Sequence, residues 1–431
     1  MAQNHLYSTE QFGIDGAMLG GAITAGSDDV SMTYYNPAAI HKVSPQLSIS
    51  FIQPSIRSFG FDNFWNNNSA DAVNNSIDLK PSLVSFKTRL GNFEFAFLKL
   101  TKSQQTDHFS TKLTTGTMDQ PSTQYFDYEY SGEDDWYGIG TNFQIAENQF
   151  IGLSHFVSLA DYTYDFTILL EQSDPSVNGG FSRYFNSVFE GEYSNVSFIT
   201  KVGWLLDTDK HDVGVAITSP TYLRLRKGGE LYSTSNIINQ GDISLSDIIA
   251  DDMSPIIKTP WEIDIGYSLD LKTKGKLWVN TSYHSAIRDY EMANLDEVSP
   301  GYRWLNGSVA VWNIAFAYAY EVNEKLALSF GARTNQFAYE NKGIAPGTQR
   351  NVILDEDQMH YVLGAKFQFH RNTILVGLDY GTIGSNSDIA GFDNFSNIDV
   401  LSPNLTGFQK TNLSFLFTYG FIIDEIRSMS R

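Results

Sequence analysis

From Gln46 to Phe421, apolar and polar positions alternate with a period of two, the spacing that places successive side chains on opposite faces of an extended chain. In TPWEIDIGYSLDL, Trp261, Ile263, Ile265, Tyr267 and Leu269 alternate with Glu262, Asp264, Gly266 and Ser268. Phe93, Phe95 and Phe97 alternate with Glu94 and Ala96, and Leu413, Phe415, Phe417, Tyr419 and Phe421 with residues that include Ser414 and Thr418. Ile374, Val376, Leu378 and Tyr380 repeat the pattern around Gly377 and Asp379. About fourteen such segments follow one another, each near or above the roughly ten residues that a tilted strand needs to cross a bilayer.

The connections alternate as regularly as the side chains. Short turns fall at Gly91-Asn92, Ala146 to Asn148, Asp207 to Lys210, Lys272 to Lys274, Asn323-Glu324 and Arg371-Asn372. Long polar stretches separate them, among them SQQTDHFSTKLTTGTMDQ, EQSDPSVNGGFSRYFNS, STSNIINQGDISLSDIIADDMSP and SNSDIAGFDNFSNID. That asymmetry predicts an all-β, about 14-stranded antiparallel transmembrane β-barrel, with short turns and both termini in the periplasm and long loops outside. A soluble sandwich shares the alternation but puts its aromatics in a dry centre and its charges toward water. Here the face opposite the aromatics carries Lys87, Arg89, Glu94, Lys201, Asp264, Arg333 and Lys366, which suits a polar lumen. In the loop DISLSDIIADDMSP the spacing predicts a short amphipathic helix capped by Ser246.

Composition narrows the function classes. A formal net charge of -20, without clustered lysine and arginine, excludes nucleic acid as a partner. The chain has no cysteine, so it has no disulfide framework and no thiolate chemistry. No apolar run reaches the length of a membrane helix; VAVWNIAFAYAY is the longest candidate. The start, MAQNHLYSTE, lacks a basic region followed by an apolar core, and the expectation is that a signal peptide has been removed and that the protein resides in the bacterial outer membrane. Acidic clusters such as SGEDDW and LDEDQ lack the spaced ligands of a calcium loop, so no metal and no cofactor is expected. Ser154-His155 and His284-Ser285 have no acid at a recognisable spacing, and the chain reads as a protein without enzyme activity.

Residues 1–45 break the pattern. GAMLGGAITAGSDDVSMTYYNPAAI has neither a helical stripe nor strand alternation. If 46–421 close into a cylinder, an irregular segment rich in glycine and alanine can pass close to the wall and satisfy its backbone groups against lumen charges. It therefore reads as an internal hatch, with 422–431 left as a C-terminal periplasmic tail.

This opening segment resembles the N-terminal hatch of the FadL family of outer-membrane transporters for long-chain fatty acids and other hydrophobic compounds. The resemblance rests on the small-residue run containing Gly20 and Gly21, the paired acids Asp28 and Asp29, and the NPA motif at Asn36, Pro37 and Ala38 shortly before the first strand. It implies passive diffusion of a hydrophobic, fatty acid-like molecule through the plugged barrel, with lateral exit into the outer-membrane lipid past an inward kink of the third strand, to whose backbone Asn36 would bond. The third strand, expected over Phe93 to Ser103, has no interior Gly or Pro to mark that kink.

Arg224 and Arg226 alternate with Leu223 and Leu225 and so point together toward the lumen, where they can hold a carboxylate headgroup or simply support the wall; Arg333 and Lys366 have the same two readings. For Arg333 and Lys366 the structural reading pairs them with Asp28 and Asp29. Two other function classes fit the pattern: a barrel subunit or adaptor with a protein partner in a secretion or surface complex, and a general porin.

Overall fold

The structure is a computed structural model that describes residues 6–423 except 51–52, 62–71, 81–82, 91–92, 118–119, 174–180, 240–241, 252, 272–273, 294, 296–299, 301–302, 340–347, 350–356 and 384–407. The tail beyond Ile423, the Gly91-Asn92 turn and the SNSDIAGFDNFSNID stretch lie outside the described residues.

Fourteen antiparallel strands close into one barrel. In chain order they are β1 (Gln46–Ser50 and Gln53–Phe61), β2 (Ala72–Lys80 and Leu83–Leu90), β3 (Phe93–Gly116), β4 (Pro121–Ala146), β5 (Gln149–Ser173), β6 (Phe181–Asp207) and β7 (His211–Thr218 and Tyr222–Asn239). Then come β8 (Asp242–Ala250 and Glu262–Leu271), β9 (Gly275–His284, extended by Ile287–Ala293), β10 (Arg303–Ser308 and Val311–Asn323), β11 (Leu326–Asn335), β12 (Gln358–Phe369), β13 (Asn372–Ile383) and β14 (Phe408–Ile422). Each strand pairs with its sequence neighbours, and β14 closes on β1 through Gln46↔Ile422 and Ser55↔Ser414. The ladders leave no sheet edge around the lower barrel, the condition for backbone to sit in hydrocarbon.

Around the short-turn half of the barrel runs a belt of exposed apolar side chains: Tyr137, Ile139, Phe143 and Ile145 on β4, Ile151, Leu153 and Leu159 on β5, Trp312, Ile314 and Phe316 on β10. The opposite face of the wall holds buried polar side chains such as Lys87 on β2, Ser154 on β5, Lys201 on β6 and Arg333 on β11, as the alternation requires.

Four strands depart from the expected length. β3 to β6 run for 24, 26, 25 and 27 residues, far beyond the roughly ten of a membrane crossing. Segments read as loops thus carry on as strand, as SQQTDHFSTKLTTG does up to Gly116: polar sequence does not exclude strand where a neighbour supplies a continuous ladder, here Gln104↔Glu133 to Gly116↔Pro121. The same holds for Asp242–Ala250, expected as a capped helix and found as a strand paired with Leu231–Asn239. Its DISLSDII pattern satisfies a two-residue period as well as a helical one, and the pairing partner decides.

In this projection the chemistry of the two faces is exchanged. On β4 the inward positions change from Trp136, Gly138 and Gly140 in the belt region to Phe126, Tyr128 and Tyr130 above it, while the outward ones change from Tyr137 and Ile139 to Glu133 and Glu129. β5 switches likewise from outward Leu159 to outward Asp161, with Tyr162, Tyr164 and Phe166 inside. The strand crosses from an apolar outer surface over a mixed interior packed on the N-terminal segment to an acidic outer surface over an aromatic interior, without changing phase.

Candidate functional site

Inside the lower barrel lies the N-terminal segment. It folds as α1 (Ile14–Met18), α2 (Met32–Tyr35) and a 3-10 turn over Pro37–Lys42. Gly20 and Gly21 sit at φ 59° and 81°, a left-handed region that disfavours side chains. At Gly21 a β-carbon would also stand 2.1 Å from Gln11 Oε1.

The paired acids serve the segment's own backbone. Asp29 Oδ2 accepts from the Asp15 N–H at 2.9 Å and Oδ1 from the Ser31 N–H at 3.1 Å, tying residues 12–18 to residues 29–35. Burial, and then the neighbouring Asp15 charge, push the Asp29 carboxyl up to about 6. Asp28 accepts from the Ser44 N–H at 3.3 Å. The expectation that these acids pair with Arg333 and Lys366 is corrected. Lys366 pairs with Asp15 at 2.7 Å and Arg333 with Asp379 at 2.7 Å, because register places Arg333 opposite His360 and one strand from Asp379.

The NPA turn is organised by Asn36. Its Oδ1 accepts from the Ala38 N–H at 3.1 Å, capping the 3-10 turn, and Pro37 occupies the first position, where no donor is lost. Its Nδ2 donates to the carbonyls of Thr24 (2.8 Å) and Trp204 (3.1 Å). Trp204 belongs to β6, so Asn36 bonds to β6 backbone rather than to the third strand.

Sequence reading missed the wall glycines that receive this turn. A β-carbon on Gly152 would lie 2.1 Å from the Pro37 carbonyl carbon, one on Gly203 2.0 Å from Asn36 Oδ1, and one on Gly214 2.0 Å from the Thr24 carbonyl oxygen. Their signal was available: single glycines at inward positions of otherwise bulky strands mark close backbone approach.

The upper surface of the segment meets a buried charged group. Lys102, at a bulge between Thr101 and Ser103 of β3, donates to the Tyr7 carbonyl (3.0 Å) and the Tyr34 hydroxyl (2.6 Å). Lys201 lies 3.4 Å from Asp264, 3.7 Å from Glu262 and 4.9 Å from the Tyr34 ring centre. Arg333 Nε and Nη2 donate to the Ser8 and Thr9 carbonyls at 2.9 and 2.8 Å. The backbone of Arg224 and Arg226 lies in β7, but their side chains are outside the described ones.

Above this floor is a cavity of about 90 Å³ whose walls include Trp136, Tyr162, Ile199 and Ile257. Among the described residues three buried polar atoms of side chains that line it, Asn195 Nδ2, Thr218 Oγ1 and His284 Nε2, lack a hydrogen-bond partner, a costly condition that a ligand's polar group can relieve. Higher still, the projecting strands enclose a cluster that includes Phe126, Tyr128, Tyr164, Phe189, Tyr193 and Trp304. Edge-to-face contacts link it, with Tyr128–Tyr164 centroids 5.7 Å apart and Tyr193–Trp304 6.2 Å apart. Together they form a packed aromatic cluster above a small cavity lined by a few polar groups. Among the described residues no group of His, Cys, Asp and Glu side chains could hold a metal ion.

No protein-family model matches the sequence, and no curated protein matches it. Among solved structures the fold is similar to that of a Pseudomonas aeruginosa FadL homologue, at 10% identity and a TM-score of 0.63, over 97% of this chain and 99% of that one. The P. putida toluene transporter TodX matches at 12% identity and a TM-score of 0.60, over 96% and 99%. The Ralstonia pickettii toluene transporter TbuX matches at 11% and 0.56, over 97% and 100%. The barrel is thus of the FadL-homologue fold.

Proposed function

We propose that this chain is an outer-membrane channel through which hydrophobic molecules diffuse passively, with 1–45 as the hatch, 46–421 as the barrel and 422–431 as a periplasmic tail. The observation that carries the reading is the exchange of faces above the belt: a porin lines its interior with charge, whereas this chain walls the upper lumen with Phe, Tyr and Trp and puts Glu129, Glu133 and Asp161 outside. A molecule with an acyl chain loses about 0.8 kcal/mol for each CH2 exposed to water, so an aromatic lining lowers the cost of its entry. A fatty acid-like substrate is supported by the polar groups that line the cavity, Lys102, Asn195 and His284, which can meet a polar end. The fold's likeness to a FadL homologue and to two toluene transporters agrees with hydrophobic cargo.

In this reading Gly20, Gly21, Asp28, Asp29, Asn36, Pro37 and Ala38 hold the hatch in its closed form. Exit through the wall into the lipid is part of the proposal, and catalysis is not. Native mass spectrometry of gently purified protein tests it: a co-purified hydrophobic ligand is expected. A stoichiometric protein partner with an empty interior would instead support a subunit role and overturn transport.

A further inference from the structure

We infer that the wall opens laterally between β7 and β8, at a seam formed by residues 219–228 and 254–261, and that this seam joins the lumen cavity to the surrounding lipid. The inference rests on the transport reading and says where its exit lies.

The third strand offers no such route at belt height. Its ladder to β2 is continuous from Leu90↔Phe93 to Leu83↔Leu100, across the exposed apolar residues Val84, Phe86, Phe93 and Phe97. Above that ladder Arg57 bridges the gap, pairing with Asp78 at 3.2 Å and Asp107 at 2.5 Å. Buried ion pairs are a poor surface for an apolar molecule to cross.

The β7–β8 contact is built differently. Thr218↔Glu262 is the top of the lower ladder and Leu231↔Ala250 the bottom of the upper one, which one more backbone bond extends downward, from the Met253 N–H to the Gly229 carbonyl at 2.9 Å; among the described residues no ladder joins the strands between that bond and Thr218↔Glu262. Three of the chain's twelve prolines, Pro220, Pro255 and Pro260, fall in these facing segments, and each removes a backbone donor that a ladder would need. Hydroxyls bridge the seam instead: the Thr221 N–H donates to Thr259 Oγ1 at 2.8 Å and Thr221 Oγ1 to the Ile257 carbonyl at 3.2 Å. Residues 256–261 lean away toward β9, where the Ile256 N–H donates to Met292 and the Ser285 N–H to the Trp261 carbonyl.

Both sides of the seam fit passage. On the inside, Thr218, Ser219, Thr221, Ile257, Thr259 and Pro260 line the cavity, and Thr218 Oγ1 has no hydrogen-bond partner among the described residues. On the outside, Tyr222 and Trp261 are exposed, the residue types that sit where hydrocarbon meets headgroups. From Tyr222 a chain of hydroxyl and imidazole groups continues across the lipid-facing wall: Tyr222 OH to Thr200 Oγ1 at 2.6 Å, then Thr200 Oγ1 to His155 Nδ1 at 3.0 Å. A molecule with an apolar body and one polar end leaves the unsatisfied donors of the cavity and meets hydrogen-bonding groups again as it emerges.

The chain has no cysteine, so a pair introduced across the seam is free of competing thiols. Uptake of radiolabelled oleate is measured in cells that lack their own channel and produce Thr221→Cys/Thr259→Cys in the outer membrane. Oxidation, or a short bismaleimide where the disulfide does not close, is followed by gel mobility. Locking the seam is expected to reduce uptake by about ten-fold or more, since a gate in series limits the whole flux, and reducing the disulfide restores it. The matched lock above the third strand, Asn74→Cys/His108→Cys, is expected to leave uptake within about two-fold. Thr221→Val/Thr259→Val, which removes the bridging hydroxyls, raises uptake. Full uptake through the locked seam, with the unmodified protein active, overturns the seam and leaves transport standing. No uptake by the unmodified protein above empty-vector cells overturns both.

Discussion

The Asn36 side-chain oxygen occupies the space beside Gly203 that a β-carbon would take, 2.0 Å from where that carbon would stand. The NPA turn is seated against β6 by this contact and by the bond from Asn36 Nδ2 to the Trp204 carbonyl. Gly203→Ala pushes the turn off the wall, at a cost of about 1–3 kcal/mol for overpacking. The expected outcome is a barrel that still assembles but conducts ions in planar bilayers, where the unmodified protein is closed. Unchanged conductance would show that the turn does not seal the lumen.

Asn36→Ala acts on the same seat from the other side. It strips a partner from two carbonyls and from the Ala38 N–H, at about 1–3 kcal/mol for each buried group left unsatisfied. Faster amide exchange at Ala38 and Ala39, with exchange in β11 to β13 unchanged, is the expected signature.

The Asp29 carboxyl gives the segment a pH dependence. Its folded value, raised to about 6 by burial and Asp15, exceeds the unfolded one, so the folded state holds the proton more tightly. Docking of residues 12–18 is therefore strongest below about pH 4 and weakens as pH rises through about 6. Amide exchange of the Asp15 N–H across that range reads the slope. Asp29→Asn is expected to flatten it.

Lys102→Met removes the donor that holds the Tyr7 carbonyl and Tyr34 hydroxyl. Charged hydrogen bonds of this kind contribute about 1.5–3 kcal/mol. Protease should then cut within the first ten residues at a higher rate, while the barrel's heat stability changes little.

Ile314→Arg tests the belt. Ile314 faces outward and is 57% exposed, and an arginine facing hydrocarbon costs about 2–4 kcal/mol near the midplane. Refolding into bilayers should lose that much stability, whereas Glu129→Arg, on the outer face above the belt, should lose almost none.

Sequence alone settled the parts of this protein governed by local period. Alternation in segments such as Glu262–Leu271 and Phe408–Ile422, with their short turns, determined strand, face and near count, since a two-residue repeat leaves one choice once lipid is outside. The irregular opening segment was legible for the same reason, as the one part without a period. Tertiary structure decided what depends on partners remote in sequence. Polar stretches 104–116 and 242–250 became strand because neighbouring strands were long enough to pair with them. Lys366 took Asp15 rather than Asp28 or Asp29, and Asn36 took β6 rather than β3, because barrel closure sets which groups meet across the lumen. The aromatic interior above the belt was hidden because a change of chemistry on both faces leaves the alternation intact, and only height along the closed barrel tells which side is buried.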